Sequence, residues 1–255
     1  MTALLAMRSH RSDHLGAFKF LSVGRTHVGQ VRTLNEDALL NRPNVGLWAV
    51  ADGMGGHASG DYASQFIAHT LDRIDSFGSA YQFRDAVERG LKQVNQSLRD
   101  HAAEQKGGIV GATVVALLAH QGHYACLWAG DSRAYLYRNG SLRRLTSDHS
   151  FVQEMVDAGV LTPAQARAHP KANVITRAVG ADNELDLESV SGLIQPGDRF
   201  LLCSDGLSNL VSEREMSESL RRTPLERGID LMMELALSRG APDNVTGIVI
   251  SAEQA

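Results

Sequence analysis

The stretch Trp48-Ala49-Val50-Ala51-Asp52-Gly53-Met54-Gly55-Gly56-His57 decides how the rest of the chain is read. The apolar run over 45–51 predicts a buried strand, and it stops on a carboxylate with three glycines in the next four residues. A strand that delivers an acid to a glycine-rich turn suits a hard cation, because backbone carbonyls can approach the ion as well. By itself, Asp-Gly after a strand is only a turn. The question is whether the chain supplies partners for Asp52.

Upstream, 18–23 alternates loosely as a strand and Asp37-Ala38-Leu39-Leu40 reads as another. Downstream the period changes. Ala63, Phe66, Ile67, Thr70, Leu71 and Ile74 recur at helical spacing, as do Phe83, Val87, Leu91, Val94 and Leu98. Arg84, Asp85, Glu88, Arg89 and Lys92 fall on the opposite, solvated face of the second helix. Strands are expected over 113–119, 123–129, 134–138 and 141–145, with Gln121-Gly122 and Asn139-Gly140 as hairpin turns. The segment 148–180 is mixed, with short helices over 151–158 and 163–168, and reads as a mobile flap or insertion. Strands resume over 187–194 and 199–203, helices over 213–221 and 225–238, and a strand over 245–251 closes the pattern. Hairpins imply antiparallel pairing and segregated helices imply layers, so an α/β (α+β) layered fold is expected. Nothing divides or repeats, which predicts one domain over 18–255 behind a flexible tail over 1–17.

Composition narrows the function. The 255 residues are 43% hydrophobic and 21% charged, ordinary for a globular chain. A net charge of −4 argues against nucleic acid as a partner, and no apolar run is long enough for a membrane span. The Ala/Leu patch of the tail precedes Arg8 and Arg11, the wrong order for a secretory signal. Cys126 and Cys203 lie inside apolar runs, and a buried reduced pair points to the cytoplasm. There is no phosphate-loop motif, HExxH, GxSxG or EF-hand loop, and neither His10 with His14 nor His120 with His123 makes a zinc site.

The positive signal is repetition. Asp37 opens an apolar strand, Asp52 and Asp131 each close one, Asp205 follows 200–204, and Asp243 precedes 245–250. Carboxylates gathered at one end of a core repel and lose hydration unless something positive neutralises them. An oxygen-only set without Cys or His points to Mg²⁺ or Mn²⁺.

These residues lie in motifs that resemble a family. The motifs are Arg32-Thr33-Leu34-Asn35-Glu36-Asp37, Ala51-Asp52-Gly53-Met54-Gly55-Gly56-His57, Gly111-Ala112-Thr113 and Ala129-Gly130-Asp131-Ser132-Arg133-Ala134-Tyr135. They continue with Leu145-Thr146-Ser147-Asp148-His149-Ser150, Thr176-Arg177-Ala178-Val179-Gly180, Cys203-Ser204-Asp205-Gly206-Leu207 and Asp243-Asn244-Val245-Thr246. In this order, over 20–251, the chain resembles the bacterial form of the metal-dependent serine/threonine protein phosphatases of type 2C.

The resemblance implies an antiparallel β-sandwich flanked by helices on both sides (αββα). It implies that Asp52 bridges two ions, that the Gly53 carbonyl binds one, and that Asp205 and Asp243 complete the second. Asp131 and Asp205 would hold a third ion, and Glu36 and Asp37 would meet the metals directly or through water. Arg32 would grip the substrate phosphate, a task suited to bidentate geometry. Two cations about 3.5–4 Å apart can share and acidify a water for in-line attack on a phosphomonoester, with Asp52 and Arg32 as catalytic groups. No nucleophilic side chain is then required. Many eukaryotic relatives carry a histidine, the proposed acid, where this chain has Met54; His57 or a metal-bound water remain as alternatives, and Asp148 and Arg177 carry no assigned step. The implied partners are phosphoproteins and a cognate Ser/Thr kinase, met by a cytoplasmic monomer with substrate selection on the flap. Two other readings stand beside this one: a pseudophosphatase that binds without turnover, and a structural domain whose strand-end acids are turns.

Overall fold

The computed structural model of the protein describes residues 15–55, 59–75, 77–105, 108–222 and 224–255. His57 and the first fourteen residues lie outside the described set. The strands are β1 (Phe18–His27), β2 (Asp37–Arg42), β3 (Leu47–Met54), β4 (Gly111–Ala112), β5 (Val114–His120), β6 (His123–Ala129), β7 (Arg133–Arg138), β8 (Ser141–Arg144), β9 (Glu188–Leu193), β10 (Arg199–Cys203) and β11 (Val245–Gln254). They form two antiparallel sheets, ordered β1-β11-β10-β7-β8 and β2-β3-β5-β6-β9, with β4 paired to β3.

The side-chain period of a strand explains the layers. Along β3, Trp48 and Val50 point into the space between the sheets, where they meet Val115, Leu117, Leu136, Phe200, Leu202, Ile248 and Ile250. Leu47, Ala49 and Ala51 point the other way, onto α1 (Ser59–Asp72) and α2 (Ala80–Glu104). The stripe Phe83, Val87, Leu91, Val94 and Leu98 is the face that α2 buries there. Each such side chain contributes roughly 1.5–3 kcal/mol of burial. On the far side, α6 (Glu213–Leu220) and α7 (Leu225–Ser238) cover Tyr135, Leu201, Cys203 and Val249 with Met216, Ile229 and Met232. Strands covered on both faces run apolar without alternation, which is why every residue of β5 is buried. The result is a four-layer αββα sandwich.

Local signals place the boundaries. Ser79 caps α2 by accepting from the Gln82 N–H, and a capping box of Ser212 and Glu215 starts α6. Both hairpin turns adopt the expected left-handed conformation, with φ of 45° and 78° at Gln121-Gly122 and 51° and 82° at Asn139-Gly140.

Two strand ends differ from the sequence reading. The strand expected to stop at Ala51 continues through Asp52 to Met54, and the strand expected over 113–119 is divided at Thr113 into β4 and β5. The cause is a change of partner: Leu47–Val50 of β3 pairs with β5, whereas Gly53 and Met54 pair with Ala112 and Gly111. Apolarity ends at Ala51, but pairing does not. Asp52 therefore sits inside a ladder.

The segment 148–180 holds α3 (Phe151–Asp157) and α4 (Pro163–Arg167), with Phe151 against His169 and Lys171 over the Phe151 ring. Its two ends, at His149–Ser150 and Ala178–Val179, are buried in the body of the protein. The remaining short helix, α5 (Asp205–Ser208), follows β10 directly. Leu15, within the expected tail, packs in the core between the sheets.

Candidate functional site

The chain crosses between the sheets at one edge of the sandwich, over 28–36 and again at Gly130-Asp131-Ser132. The same edge receives the end of β10, where Asp205 opens α5, and the start of β11, just after Asp243. Asp37 and Asp52 stand directly opposite each other across β2 and β3. Like charges in that relation oppose pairing. The five aspartates singled out in the sequence are thus brought together from both sheets, and each of Asp37, Asp52, Asp131 and Asp205 feels at least one of the others.

Close approach fixes the backbone around them. A Cβ at Gly53 would lie 2.1 Å from the Gly60 carbonyl oxygen, and one at Gly206 would lie 1.9 Å from that of Asn244. Only glycine fits at either place. The Gly53 N–H donates to the Glu36 carbonyl at 3.0 Å. Asp52 is held by Thr113, whose hydroxyl accepts the Asp52 N–H at 3.3 Å while its own N–H donates to the Asp52 carbonyl at 2.8 Å. The Thr113 hydroxyl also meets that of Ser132 at 2.8 Å, which ties Asp52 to the loop carrying Asp131.

Burial and mutual repulsion act on the carboxyls in the same direction. Desolvation, with Asp205 and Asp243 nearby, pushes Asp37 up to about 7 even though the Thr246 and Ser204 hydroxyls support its charged form. Asp131 is pushed to about 7 by desolvation and then by Asp205 and Asp148, with Arg133 opposing. Asp205 is raised by desolvation and Asp243, and Asp52 is raised well above the carboxylate range by desolvation followed by Asp37, Asp205 and Asp131.

Two oxygens carry the test of whether this edge suits a cation. Ser204 donates to Asp37 Oδ2 at 2.8 Å, but Asp37 Oδ1 is buried with no hydrogen-bond partner, and so is Glu36 Oε1. Buried carboxylate oxygens left in this way call for a positive ligand. An all-oxygen donor set fits Mg²⁺ or Mn²⁺. Among the described residues, no three acids or other metal-binding side chains are already closed around a single point.

Arg32 stands at the mouth, half exposed, and donates through Nη2 to Asp243 Oδ2 at 2.8 Å. That hydrogen bond is the main reason its guanidinium is held above its usual value. Asn244 fixes the loop that carries Arg32 and Glu36. Its Nδ2 donates to the carbonyls of Val28 and Leu34, and its Oδ1 accepts the Glu36 N–H at 2.8 Å. Met54 pairs with Gly111 beside the acids. Asp148 is clamped by Arg133 and Arg144, and Arg177 is paired with Asp186 and Glu188.

Sequence reasoning missed the hydroxyls and the amide that hold this edge: Thr113, Ser132, Ser204, Asn244 and Thr246. The available signal was adjacency, since Ser132, Ser204 and Asn244 each neighbour one of the chosen aspartates.

Comparison with known proteins agrees with this architecture. The family model for Protein phosphatase 2C matches residues 23–237. Serine/threonine phosphatase stp of Listeria monocytogenes is 34% identical over 238 residues, covering 90% of this chain and 94% of that protein. PppA of Pseudomonas aeruginosa, described as a key regulatory component of T6SS, superposes with a TM-score of 0.86 at 43% identity, covering 91% of this chain and 97% of that one. The catalytic domain of the phosphatase PstP, solved in complex with two manganese ions, gives 0.82 at 34% identity, with 92% and 99% covered. With the sandwich, the acid edge and matches over nearly its whole length, the chain belongs to the protein phosphatase 2C family.

Proposed function

We propose that this chain hydrolyses phosphoserine and phosphothreonine in proteins, using Mg²⁺ or Mn²⁺ held at the acid edge. One observation carries the reading: five aspartates from both sheets converge there, with the buried oxygens Asp37 Oδ1 and Glu36 Oε1 lacking any partner. Asp37, Asp52, Asp131, Asp205 and Asp243 would hold two ions and a third, together with the Gly53 carbonyl, and Glu36 would stand behind them. Cations there supply the charge that keeps the carboxylates ionised, acidifies a coordinated water and offsets the negative phosphoryl oxygens.

The chain's own groups do the rest. Arg32 exchanges Asp243 for the substrate phosphate, offering two parallel N–H donors to two oxygens. Side chains do not compete as nucleophiles: burial pushes the Cys203 thiol up to about 12 and raises Cys126 as well. The hydroxyls of Ser132 and Ser204 are committed to Thr113 and Asp37. Met54 carries no proton to give the leaving oxygen; His57 or a water held at the cation site would be the alternatives.

A substrate of this class is made by a Ser/Thr kinase, and a cognate kinase and its targets are the natural partners. The segment 148–180, next to the site through Asp148 and Arg133, is where substrates are selected. Among the described residues no helix is long and apolar enough to cross a membrane. Both cysteines are free and buried, as suits a reducing cytoplasm. Hydrolysis of p-nitrophenyl phosphate and a phosphothreonine peptide, with Mn²⁺ and with chelator, tests the reading. Activity is expected only with the ion, and equal rates in chelator would overturn it.

A further inference from the structure

Two consecutive residues at the root of the segment 148–180 bracket Asp131. His149 holds Gly130 twice, donating its backbone N–H to the Gly130 carbonyl at 3.0 Å and accepting the Gly130 N–H on Nδ1 at 3.1 Å. On the other side, Asp148 holds Arg133 through Nε at 2.9 Å and Nη2 at 2.6 Å. Gly130 has a φ of +115°, in the left-handed region, and a Cβ there would lie 2.5 Å from the Thr113 side chain. A glycine in such a conformation has no side chain to lock it, so its hydrogen bonds decide where the next residue points. That next residue is Asp131, buried and pressed by Asp205.

The ring of His149 is itself well fixed. It is buried and stacked on Trp128 at 6.0 Å and 13°, and Trp128 donates to the Ser147 carbonyl. Accepting a backbone N–H makes Nδ1 the lone-pair nitrogen and puts the proton on Nε2. Desolvation and then Arg177 lower the imidazole's pKa, which favours that neutral form. Nε2 faces Glu188, 3.3 Å from Oε1, and Glu188 meets Arg177. The His149 carbonyl accepts the Thr176 N–H at 2.9 Å. His149 therefore meets the residue before Asp131 through its ring and N–H, and the far end of the segment 148–180 through its carbonyl at Thr176 and, by way of Glu188, through its ring at Arg177.

We propose that His149 is a positioning residue for Asp131, acting through Gly130, and that it couples the cation held by Asp131 to the segment 148–180. The inference rests on the phosphatase reading above, and specifically on Asp131 as a cation ligand.

Calorimetric titration of the full chain with Mn²⁺ tests it, comparing wild type with Asp131→Asn, His149→Ala, His149→Asn and the double variant Asp131→Asn/His149→Ala. His149→Ala should weaken the site lost in Asp131→Asn by about ten-fold, as for residues that orient metal ligands. The double variant should bind like Asp131→Asn alone. His149→Asn, whose amide oxygen can take the Gly130 N–H, should recover most of the affinity. Hydrogen exchange gives the second readout: Mn²⁺ should slow exchange around Thr176 in wild type and His149→Asn but not in His149→Ala. Unchanged Mn²⁺ binding in a cooperatively melting His149→Ala overturns the proposal, as does a loss that adds to that of Asp131→Asn. Should the alanine variant not fold, His149→Gln leaves the Gly130 N–H unmet and must show the ten-fold loss; affinity equal to His149→Asn overturns the proposal. Wild type that takes up no Mn²⁺ overturns the phosphatase reading itself, a result distinct from uptake that ignores His149.

Discussion

Asp198 and Asp37 are both buried aspartates at the edge of a strand, and the fold treats them oppositely. Asp198, with a side chain only 1% exposed, receives two guanidinium donors from Arg138 at 2.7 and 2.6 Å and the Gln195 N–H at 2.8 Å. Asp148 is served in the same manner by Arg133 and Arg144. Asp37 faces another aspartate across the ladder, has one oxygen without a partner, and is pushed up to about 7. The chain can neutralise a buried carboxylate from within, and does so where the role is structural. At Asp37 it withholds the arginine. Stability is given up there for a charge deficit that an external cation can fill.

The sharpest way to break this contrast is Asp52→Ala. Phosphomonoester hydrolysis should fall on the order of 10³-fold, the scale of losing a preorganised electrostatic contact. The metal-free protein should melt no lower than wild type, because a repelled carboxyl has been removed. Asp198→Ala should do the reverse, costing about 2 kcal/mol in denaturant unfolding because Arg138 loses its carboxylate and the Gln195 N–H its acceptor, while Mn²⁺ affinity stays unchanged.

Acidity sharpens the comparison further. Asp37 and Asp131 are raised from 3.8 to about 7, so their protonated forms are favoured in the folded state. Their contribution to stability is present at acid pH and lost as the pH rises through about 7. The metal-free melting temperature should therefore drop by several degrees between pH 5 and pH 8, and saturating Mn²⁺ should flatten that slope. A slope unaffected by Mn²⁺ would separate the raised acids from the cation site. The smallest effect is expected from Arg32→Lys: loss of one charge-assisted hydrogen bond, about 1.5 kcal/mol, should lower kcat/KM for a phosphopeptide about ten-fold without changing the melting temperature.

Much of the fold was legible because local periods carry it. The strands, the α1 and α2 stripes and the two left-handed hairpin turns at Gln121-Gly122 and Asn139-Gly140 all follow from short-range pattern. The αββα arrangement itself came from the family resemblance. Strand β3 was cut short because apolarity ends at Ala51, whereas its pairing with Gly111 and Ala112 depends on residues far along the chain. Strand order was equally out of reach: nothing local says that β11 inserts between β1 and β10. At the site, the acids could be picked because each abuts an apolar run. That Asp37 faces Asp52, that Arg32 rests on Asp243, and that Asn244 fixes the loop between them are facts of register and crossing, which a single sequence does not display.

The place of β11 also bears on how the protein is made. β1 is made early in translation, but among the described residues its only partner in the sheet is β11, which follows every other strand. At about 5–20 residues per second, β1 waits tens of seconds with an unpaired edge, and β10 lacks one neighbour until the same strand arrives. Asp243 is delivered just ahead of that strand. The acid edge therefore cannot close until β11 has been made, and a nascent chain that stops short of Asp243 has an incomplete site.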